Sequence, residues 1–247
     1  MFKVWNRQSN PDIGAQFQLL KALYERGIAV SRPLGWGKDT SGNQVLLMSF
    51  DGAPVRTADT AKMEALARIL ARIHRVTAEE LADAGLPKYS FTDYFFPGIE
   101  EYADISQALM PLVQLAQLNQ EAVIHGDYHM SNIVEENGRY TVIDWTNGQA
   151  GDARYDFAWT DLLMHLYTPE PFARVFRLAY LAENRIPLIE LEKFEALACL
   201  RWLILQRRGS VPLQADTIPH MRGIIGGNPY LREALEQLLG GAVNANK

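Results

Sequence analysis

Three polar residues in one short segment of the sequence carry groups that suit phosphoryl transfer. Asp127 and Asn132 are separated by four residues, and Asp144 follows a later apolar run. One carboxylate can accept the proton of an attacking hydroxyl, while an amide oxygen and a second carboxylate can hold magnesium on nucleotide phosphates. Gly126, directly before Asp127, lets the backbone turn tightly. The segment therefore predicts a site for phosphoryl transfer.

A predicted β-hairpin positions these groups. Ile133 and Val134 have the character of a short strand, Asn137-Gly138 is typical of a two-residue hairpin turn, and 140–143 is predicted to be the returning strand. Asn132 precedes the first strand, and Asp144 follows the second. Because the two strands of a hairpin run side by side, we expect Asn132 and Asp144 to lie close together, with Asp127 in the loop just before them.

The same segment resembles the aminoglycoside phosphotransferase and choline kinase family, which is related to the protein kinases. These enzymes typically carry a His-Gly-Asp-x-His-x-x-Asn block, which residues 125–132 match throughout. They continue with Ile-Asp-Trp, present here at 143–145, and with Gly-Asp-x-x-x-Asp, present at 151–156. Three linked blocks in one order make the resemblance specific from Val123 to Trp159. Elsewhere the chain matches the family in character only.

The resemblance implies a role for each motif residue. Asp127 is expected to be the catalytic base, with Asn132 and Asp144 as magnesium ligands, so that Mg²⁺ and ATP (as phosphoryl donor) are the expected cofactors. The residues expected to support the site structurally are His125, which would brace the catalytic loop, and Asp152 and Asp156, which would tie the following loop to the next helix.

A metal-dependent hydrolase is an alternative interpretation of the same residues. His125 and His129 have a spacing similar to the paired histidines of a zinc-binding helix. Gly126 and the strand-like surroundings count against a helix at this point, and Cys199 lies far away in the sequence. A zinc site is therefore the less favoured interpretation.

Composition limits the classes of protein that need to be considered. The chain has 247 residues, 48% of them hydrophobic, and a formal net charge of −5. A hydrophobic fraction of this size supports a globular core, and without a basic stripe no nucleic-acid partner is expected. A single cysteine forms no internal disulfide, and no long apolar run or signal peptide is evident. We therefore expect a cytoplasmic protein without a membrane partner.

The predicted elements divide the chain at the breaker cluster 51–54. Before it, strands are predicted at 1–5, 28–30 and 45–50, a helix at 11–26, and a turn at 35–38. After it, helices are predicted at 59–76, 105–119 (kinked or split by Pro111), 155–167, 171–183, 189–207 and 230–239, with a frayed tail at 240–247. The fold class implied is α+β. It is a protein kinase-like two-lobed fold with a truncated small β-containing N-lobe (residues 1–52, the nucleotide side) and a mostly helical C-lobe (residues 53–247, with the catalytic and metal-binding loops).

The small lobe departs from the family pattern. Lys3 falls where the family has a strand lysine that contacts nucleotide phosphates, but the helix glutamate that should pair with it is replaced by Gln16 or Gln18. No Gly-rich hairpin precedes Lys3. Because electrostatic stabilisation is usually the largest catalytic term, we expect weak activity, a site completed by another chain, or a native protein that is longer than this sequence.

The adenine site is assigned by position alone. Leu46 to Phe50 resembles the family's strand leading to the hinge between the lobes, so the nucleotide-binding residues are predicted to be Lys3, Met48, Ser49 and Phe50, with backbone groups of Ser49 and Phe50 bonded to adenine. An ordinary edge strand with a buried Met48 is the alternative interpretation.

The predicted function is ATP-dependent transfer of the γ-phosphoryl group to a hydroxyl of a small molecule, such as an aminoglycoside, an amino alcohol or a sugar. The alternative is a non-catalytic kinase-like protein that binds a nucleotide or a partner. Candidates for contact with a cationic acceptor are Asp161, Glu170, Glu183, Trp145 and Trp202. A clipped small lobe that exposes an apolar strand edge also predicts a homodimer.

Overall fold

A computed structural model describes residues 1–5 and 12–243 of the chain, with the side chains of the last three left out. The predicted helix start at Pro11 and the tail from 244 onward lie outside the described residues. Contacts divide the chain into two compact units, Met1–Lys88 with Gln120–Ala153 and Tyr89–Asn119 with Arg154–Lys247. The division into a nucleotide-side lobe (1–52) and a catalytic lobe (53–247) stays a prediction.

The first unit begins with a three-stranded antiparallel sheet. Its strands β1 (Phe2–Trp5), β2 (Pro33–Lys38) and β3 (Gln44–Met48) lie in the order β1-β3-β2. Helix α1 (Ile13–Glu25), which starts at the N-cap Asp12, packs against β2 and β3. The register sets Lys3 opposite Leu46, so the two side chains share the face of the sheet on which Leu46 is buried.

Two predictions for this sheet are wrong. The predicted strand 28–30 is only an isolated bridge, in which Val30 pairs with Val142. The predicted turn at 35–38 lies within β2, where each residue from Gly35 to Lys38 pairs with β3. The glycines on both sides of Trp36 suggested a turn. They can nevertheless pair in a strand, because the hydrogen bonds between strands are made by the backbone and need no side chain.

The rest of the first unit supports the predicted motif segment. It contains β4 (Ala53–Pro54), α2 (Thr60–His74), β5 (Ala122–Ile124), β6 (Ile133–Glu136), β7 (Arg139–Val142) and β8 (Gln149–Gly151). The sheets formed are β4-β6-β7 and β5-β8. The predicted helix at 59–76 is confirmed as α2, capped by Asp59, and its apolar face is fully buried.

The second unit is helical. Its helices are α3 (Phe91–Phe95), α4 (Ala103–Ala116), α5 (Ala153–Tyr167), α6 (Glu170–Glu183), α7 (Leu188–Arg207), α8 (Thr217–Gly227) and α9 (Leu235–Val243). Pro111 lies inside α4 without dividing it. The predicted helix 230–239 is displaced, because α9 begins at Leu235 after a short 3₁₀ turn. Helix α8 was not predicted, because its glycines and Pro219 have low helix propensity. None of the described helices has both the length and the apolar character needed to cross a bilayer.

An ion pair joins two helices of the second unit. Asp104, in the first turn of α4, accepts a 2.8 Å hydrogen bond from Nη1 of Arg207 at the end of α7, and Nη2 of Arg207 also donates to Leu238 O at 2.8 Å. The Arg207 side chain is only 7% exposed. Its hydrogen bond to Asp104 holds the pKa of that carboxyl below the usual value.

We expect Asp104→Ala to lower the free energy of unfolding by about 2 kcal/mol, because it leaves the nearly buried Arg207 without its carboxylate. Since the pKa of Asp104 is lowered in the folded protein, this contribution is present above the unfolded pKa of about 3.9 and is lost as pH falls through the folded value. Urea unfolding at neutral and acid pH measures both effects. The exposed Asp216→Ala serves as the control, and an equal loss in both variants would contradict the prediction.

Candidate active site

The predicted hairpin is confirmed and brings Asn132 beside Asp144. Ile133 pairs with Val142, and the turn residues Asn137 and Gly138 both have positive φ. One step beyond the last pair, the backbone N–H of Ile143 donates to Asn132 O at 2.9 Å. Asn132 therefore accepts this bond, and Asp144 directly follows the residue that donates it, so the two expected metal ligands lie close together in the backbone.

His125 braces the loop that carries Asp127. Its ring is completely buried, Nε2 donates to Ile143 O at 3.0 Å, and Nδ1 accepts from the Asp127 N–H at 3.3 Å. The bond to the Ile143 carbonyl requires a proton on Nε2. The ring also packs edge-on against Trp145, with centroids 4.8 Å apart. His125 thus fixes the loop that carries Asp127 to the strand that leads to Asp144.

The bonds of His125 count against the zinc interpretation. A ligating histidine needs one ring nitrogen for the metal, and both nitrogens of His125 already have partners in the protein. Within the described ranges, no group of three or more His, Cys, Asp or Glu residues is arranged to hold a metal ion. The site therefore does not have the donors of a zinc hydrolase built on His125 and His129.

The loop between Asp127 and Asn132 is closed by side-chain contacts. Asn132 Nδ2 donates to Asp127 O at 2.9 Å and lies 3.2 Å from His129 Nε2. His129 Nε2 is also 3.5 Å from Asp127 Oδ2. The Asp127 side chain keeps 35% of its surface exposed, which the predicted role of a general base requires. The amide nitrogen of Asn132 is directed at the loop, and its oxygen is the atom that the sequence predicts as a metal ligand.

Asp144 is held by two neighbours through one of its oxygens. Lys3 Nζ forms an ion pair with Asp144 Oδ1, and the Thr146 hydroxyl donates to the same oxygen at 2.6 Å. Burial raises the pKa of Asp144, but the hydrogen bonds from Lys3 and Thr146 outweigh it and leave that pKa below its usual value. The lowered pKa keeps the carboxylate ionised at neutral pH. Both of these bonds go to Oδ1, so Oδ2 is the oxygen that suits a metal ligand.

The structure brings Lys3 into this site but gives it no carboxylate from α1. Gln16 is buried and lines a small cavity with Lys3, Ser31, Met48 and Asp144, whereas Gln18 is exposed. Of the two glutamines proposed from the sequence, Gln16 is therefore the one near the lysine. Two further contacts of Lys3, with Thr146 and with the Trp5 ring, were not predicted. Trp5 had a detectable signal, because residues i and i+2 of a strand share one face.

Some groups of the predicted adenine-binding segment are already buried or hydrogen-bonded within the sheet. Met48 is buried, and the Ser49 N–H donates to Arg32 O at 2.9 Å, which extends the pairing of β2 with β3. The Ser49 hydroxyl bonds to Asp51. Phe50 is 69% exposed. The adenine prediction therefore narrows to the Ser49 carbonyl and the Phe50 backbone, and it stays a prediction.

The remaining residues named from the sequence are mostly buried or ion-paired. Asp152 and Asp156 are buried, immediately before α5 and in its first turn. Among the acceptor candidates, Trp145 and Trp202 are buried core residues, and the prediction that they contact an acceptor stays a prediction. Asp161 is buried and ion-paired with Arg177, and burial raises the pKa of its carboxyl. Glu170 is exposed and pairs with Arg174.

Comparison with known proteins identifies the family. The sequence model of the phosphotransferase enzyme family, APH, matches residues 1–197, and the chain belongs to this family. The resemblance inferred from the three motif blocks is thereby confirmed. No curated protein matches the chain in sequence.

Solved structures confirm the kinase-like α+β fold. A putative aminoglycoside phosphotransferase from Ralstonia eutropha JMP134 has a TM-score of 0.60 at 16% identity, over 97% of this chain and 85% of that one. The amicoumacin kinase hAmiN, solved with AMP-PNP, Ca²⁺ and Ami, has 0.65 at 18%, over 96% and 80%. An ethanolamine kinase from Plasmodium vivax has 0.60 at 15%, over 94% and 77%.

Proposed function

We propose that this protein is a phosphotransferase that moves the γ-phosphoryl group of ATP to a hydroxyl of a small molecule. The observation that carries the proposal is the placement of Asp127, Asn132 and Asp144 on one braced loop and hairpin, with Lys3 bonded to Asp144. Family membership and kinase-like neighbours support the general reaction.

The residues of the chain supply distinct parts of this reaction. The partly exposed carboxylate of Asp127 accepts the proton of the acceptor hydroxyl. Lys3 presents a positive charge to the phosphates of the donor. Asn132 and Asp144 have the oxygen donors to hold Mg²⁺, which when bound neutralises the charge on the phosphoryl group. We assign the nucleotide side to residues 1–52, with Met48, Ser49 and Phe50 beside adenine.

A non-catalytic nucleotide-binding protein is the second candidate. The observation that favours it is Gln16, a neutral residue in the cavity that Lys3 and Asp144 also line. The two candidates differ in turnover and share nucleotide binding. Transfer of label from ATP to an acceptor therefore decides between them. The first acceptors to test are aminoglycosides, ethanolamine and amicoumacin, because proteins of similar fold are named for these compounds.

The first test is calorimetric titration with AMP-PNP, with and without Mg²⁺. We expect magnesium-dependent binding that Asp144→Ala abolishes, because that change removes both the metal ligand and the anion paired with Lys3. Asp83→Ala, an exposed aspartate in the same unit, is the matched control and should bind like the unaltered protein. Equal binding by the Asp144→Ala variant would contradict the proposed site.

A further inference from the structure

The ammonium group of Lys3 is fixed by three contacts that arise from different parts of the chain. It pairs with Asp144 Oδ1, donates to Thr146 Oγ1 at 2.9 Å, and lies 4.8 Å from the centroid of the Trp5 ring. Thr146 in turn donates its hydroxyl hydrogen to Asp144 Oδ1 at 2.6 Å. The lysine, the threonine and the aspartate thus form a closed triangle of hydrogen bonds.

We infer that Thr146 is a positioning residue that orients Lys3 and Asp144 for the nucleotide, a role that no charged residue of α1 fills. The inference rests on the proposed function of this site. Gln16, the α1 residue in the cavity lined by Lys3, is neutral and forms no ion pair with an ammonium group. Thr146 is the group in contact with both ions.

A hydroxyl suits this task because it donates and accepts at one atom. Thr146 Oγ1 accepts from Lys3 and donates to Asp144, so one oxygen sets the separation of the two charges. A lysine side chain loses rotamer entropy when it is fixed, and the Lys3 side chain is still 26% exposed. A second anchor therefore keeps it over the site. A neutral anchor also adds no negative charge beside the phosphates.

Geometry also explains why the anchor acts on Asp144. Asp144 has φ 62° and ψ 59°, in the left-handed region that aspartate adopts less readily than glycine. Thr146 lies two residues later in the 3₁₀ turn that follows. Its bond to Oδ1 fixes the carboxylate relative to this turn. Loss of the hydroxyl is thus expected to loosen two groups at once.

The first experiment needs no nucleotide. The free protein is treated with an amine-reactive acylating reagent, and modification of each lysine is followed by mass spectrometry. We expect Thr146→Val, which removes the hydroxyl at nearly constant volume, to raise the modification rate of Lys3 several-fold, while Thr146→Ser keeps it at the original rate. The exposed Lys38 and Lys88 are internal references. An unchanged rate at Lys3 in Thr146→Val would overturn the inference.

The second experiment measures binding of AMP-PNP with Mg²⁺ by calorimetry. Thr146→Val is expected to raise Kd about tenfold, the effect of a lost hydrogen bond to a charged group, and Thr146→Ser to restore it. In the Thr146→Val background, Gln16→Glu places a carboxylate in the shared cavity and is expected to recover most of the affinity. Thr77→Val removes another threonine–carboxylate bond of the same unit, to Glu80, and is expected to leave Kd unchanged.

The two experiments separate failure of the inference from failure of the proposed function. If the unaltered protein binds no nucleotide, the proposed function is wrong, and the labelling of Lys3 still tests the pairing with Thr146. If it binds and Thr146→Val binds equally well, the positioning role is wrong and the proposed function stands. An equal loss of affinity in Thr77→Val would also overturn the inference, because it would show a general response to lost stability.

Discussion

Replacing Asp127 by alanine is expected to lower kcat for phosphoryl transfer by about 10²–10⁴, the range for loss of a general base. The fold should survive the change, because the loop is braced through the Asp127 backbone: its N–H donates to His125, and its carbonyl accepts from Asn132. The carboxylate is partly exposed, and its contact with His129 Nε2 is 3.5 Å long. We therefore expect the free energy of unfolding to change by less than about 1 kcal/mol.

Binding and turnover together give this prediction its specificity. Asp127→Ala should bind AMP-PNP with Mg²⁺ almost as well as the unaltered protein, whereas Asp144→Ala should lose that binding. Asp127→Asn retains the size and removes the base, so its kcat should fall as far. A variant without the Asp127 carboxylate that still transfers phosphate at the original rate would end the assignment of Asp127 as the base.

Local parts of this site were predictable from the sequence because they depend on neighbours in the chain. The β6–β7 hairpin is set by the Asn137-Gly138 turn and the alternation around it, so the approach of Asn132 to Asp144 followed directly. α2 was equally accessible, since its buried face repeats at helical spacing. Short-range patterns of this kind can be recognised in the sequence without knowledge of any tertiary contact.

Contacts between distant residues were not predictable from those patterns. Lys3 and Thr146 are 143 positions apart, and nothing in either segment specifies the other. The choice between Gln16 and Gln18 likewise depends on which face of α1 packs against the sheet. Strand β2 was missed because Gly-Trp-Gly has the composition of a turn, and its partner β3 supplies the pairing that decides the matter. Tertiary context overrides local propensity in each case.

Gly126→Ala is expected to destabilise the first unit by about 2–4 kcal/mol and to remove most of the activity. Gly126 has φ +78°, and an added Cβ would lie 2.8 Å from Asn147 Cβ and 2.9 Å from Asn147 O. The variant therefore suffers both backbone strain and a collision with a main-chain atom. Because Gly126 links His125 to Asp127, we expect relief of the collision to displace the Asp127 carboxylate from its braced position.

Gly138→Ala separates the two causes. Gly138 has the same φ of +78°, but no atom of the residues that the structure describes lies within 4 Å of an added Cβ. Its replacement should cost only the strain of a left-handed alanine, about 1–2 kcal/mol, and should leave kcat close to the original value. Chemical unfolding and the transfer assay, run on both variants, isolate the effect of the Asn147 contact. Equal losses of stability and activity in the two variants would contradict this prediction. They would show that backbone strain alone explains the need for glycine at position 126, without a contribution from the close approach of Asn147.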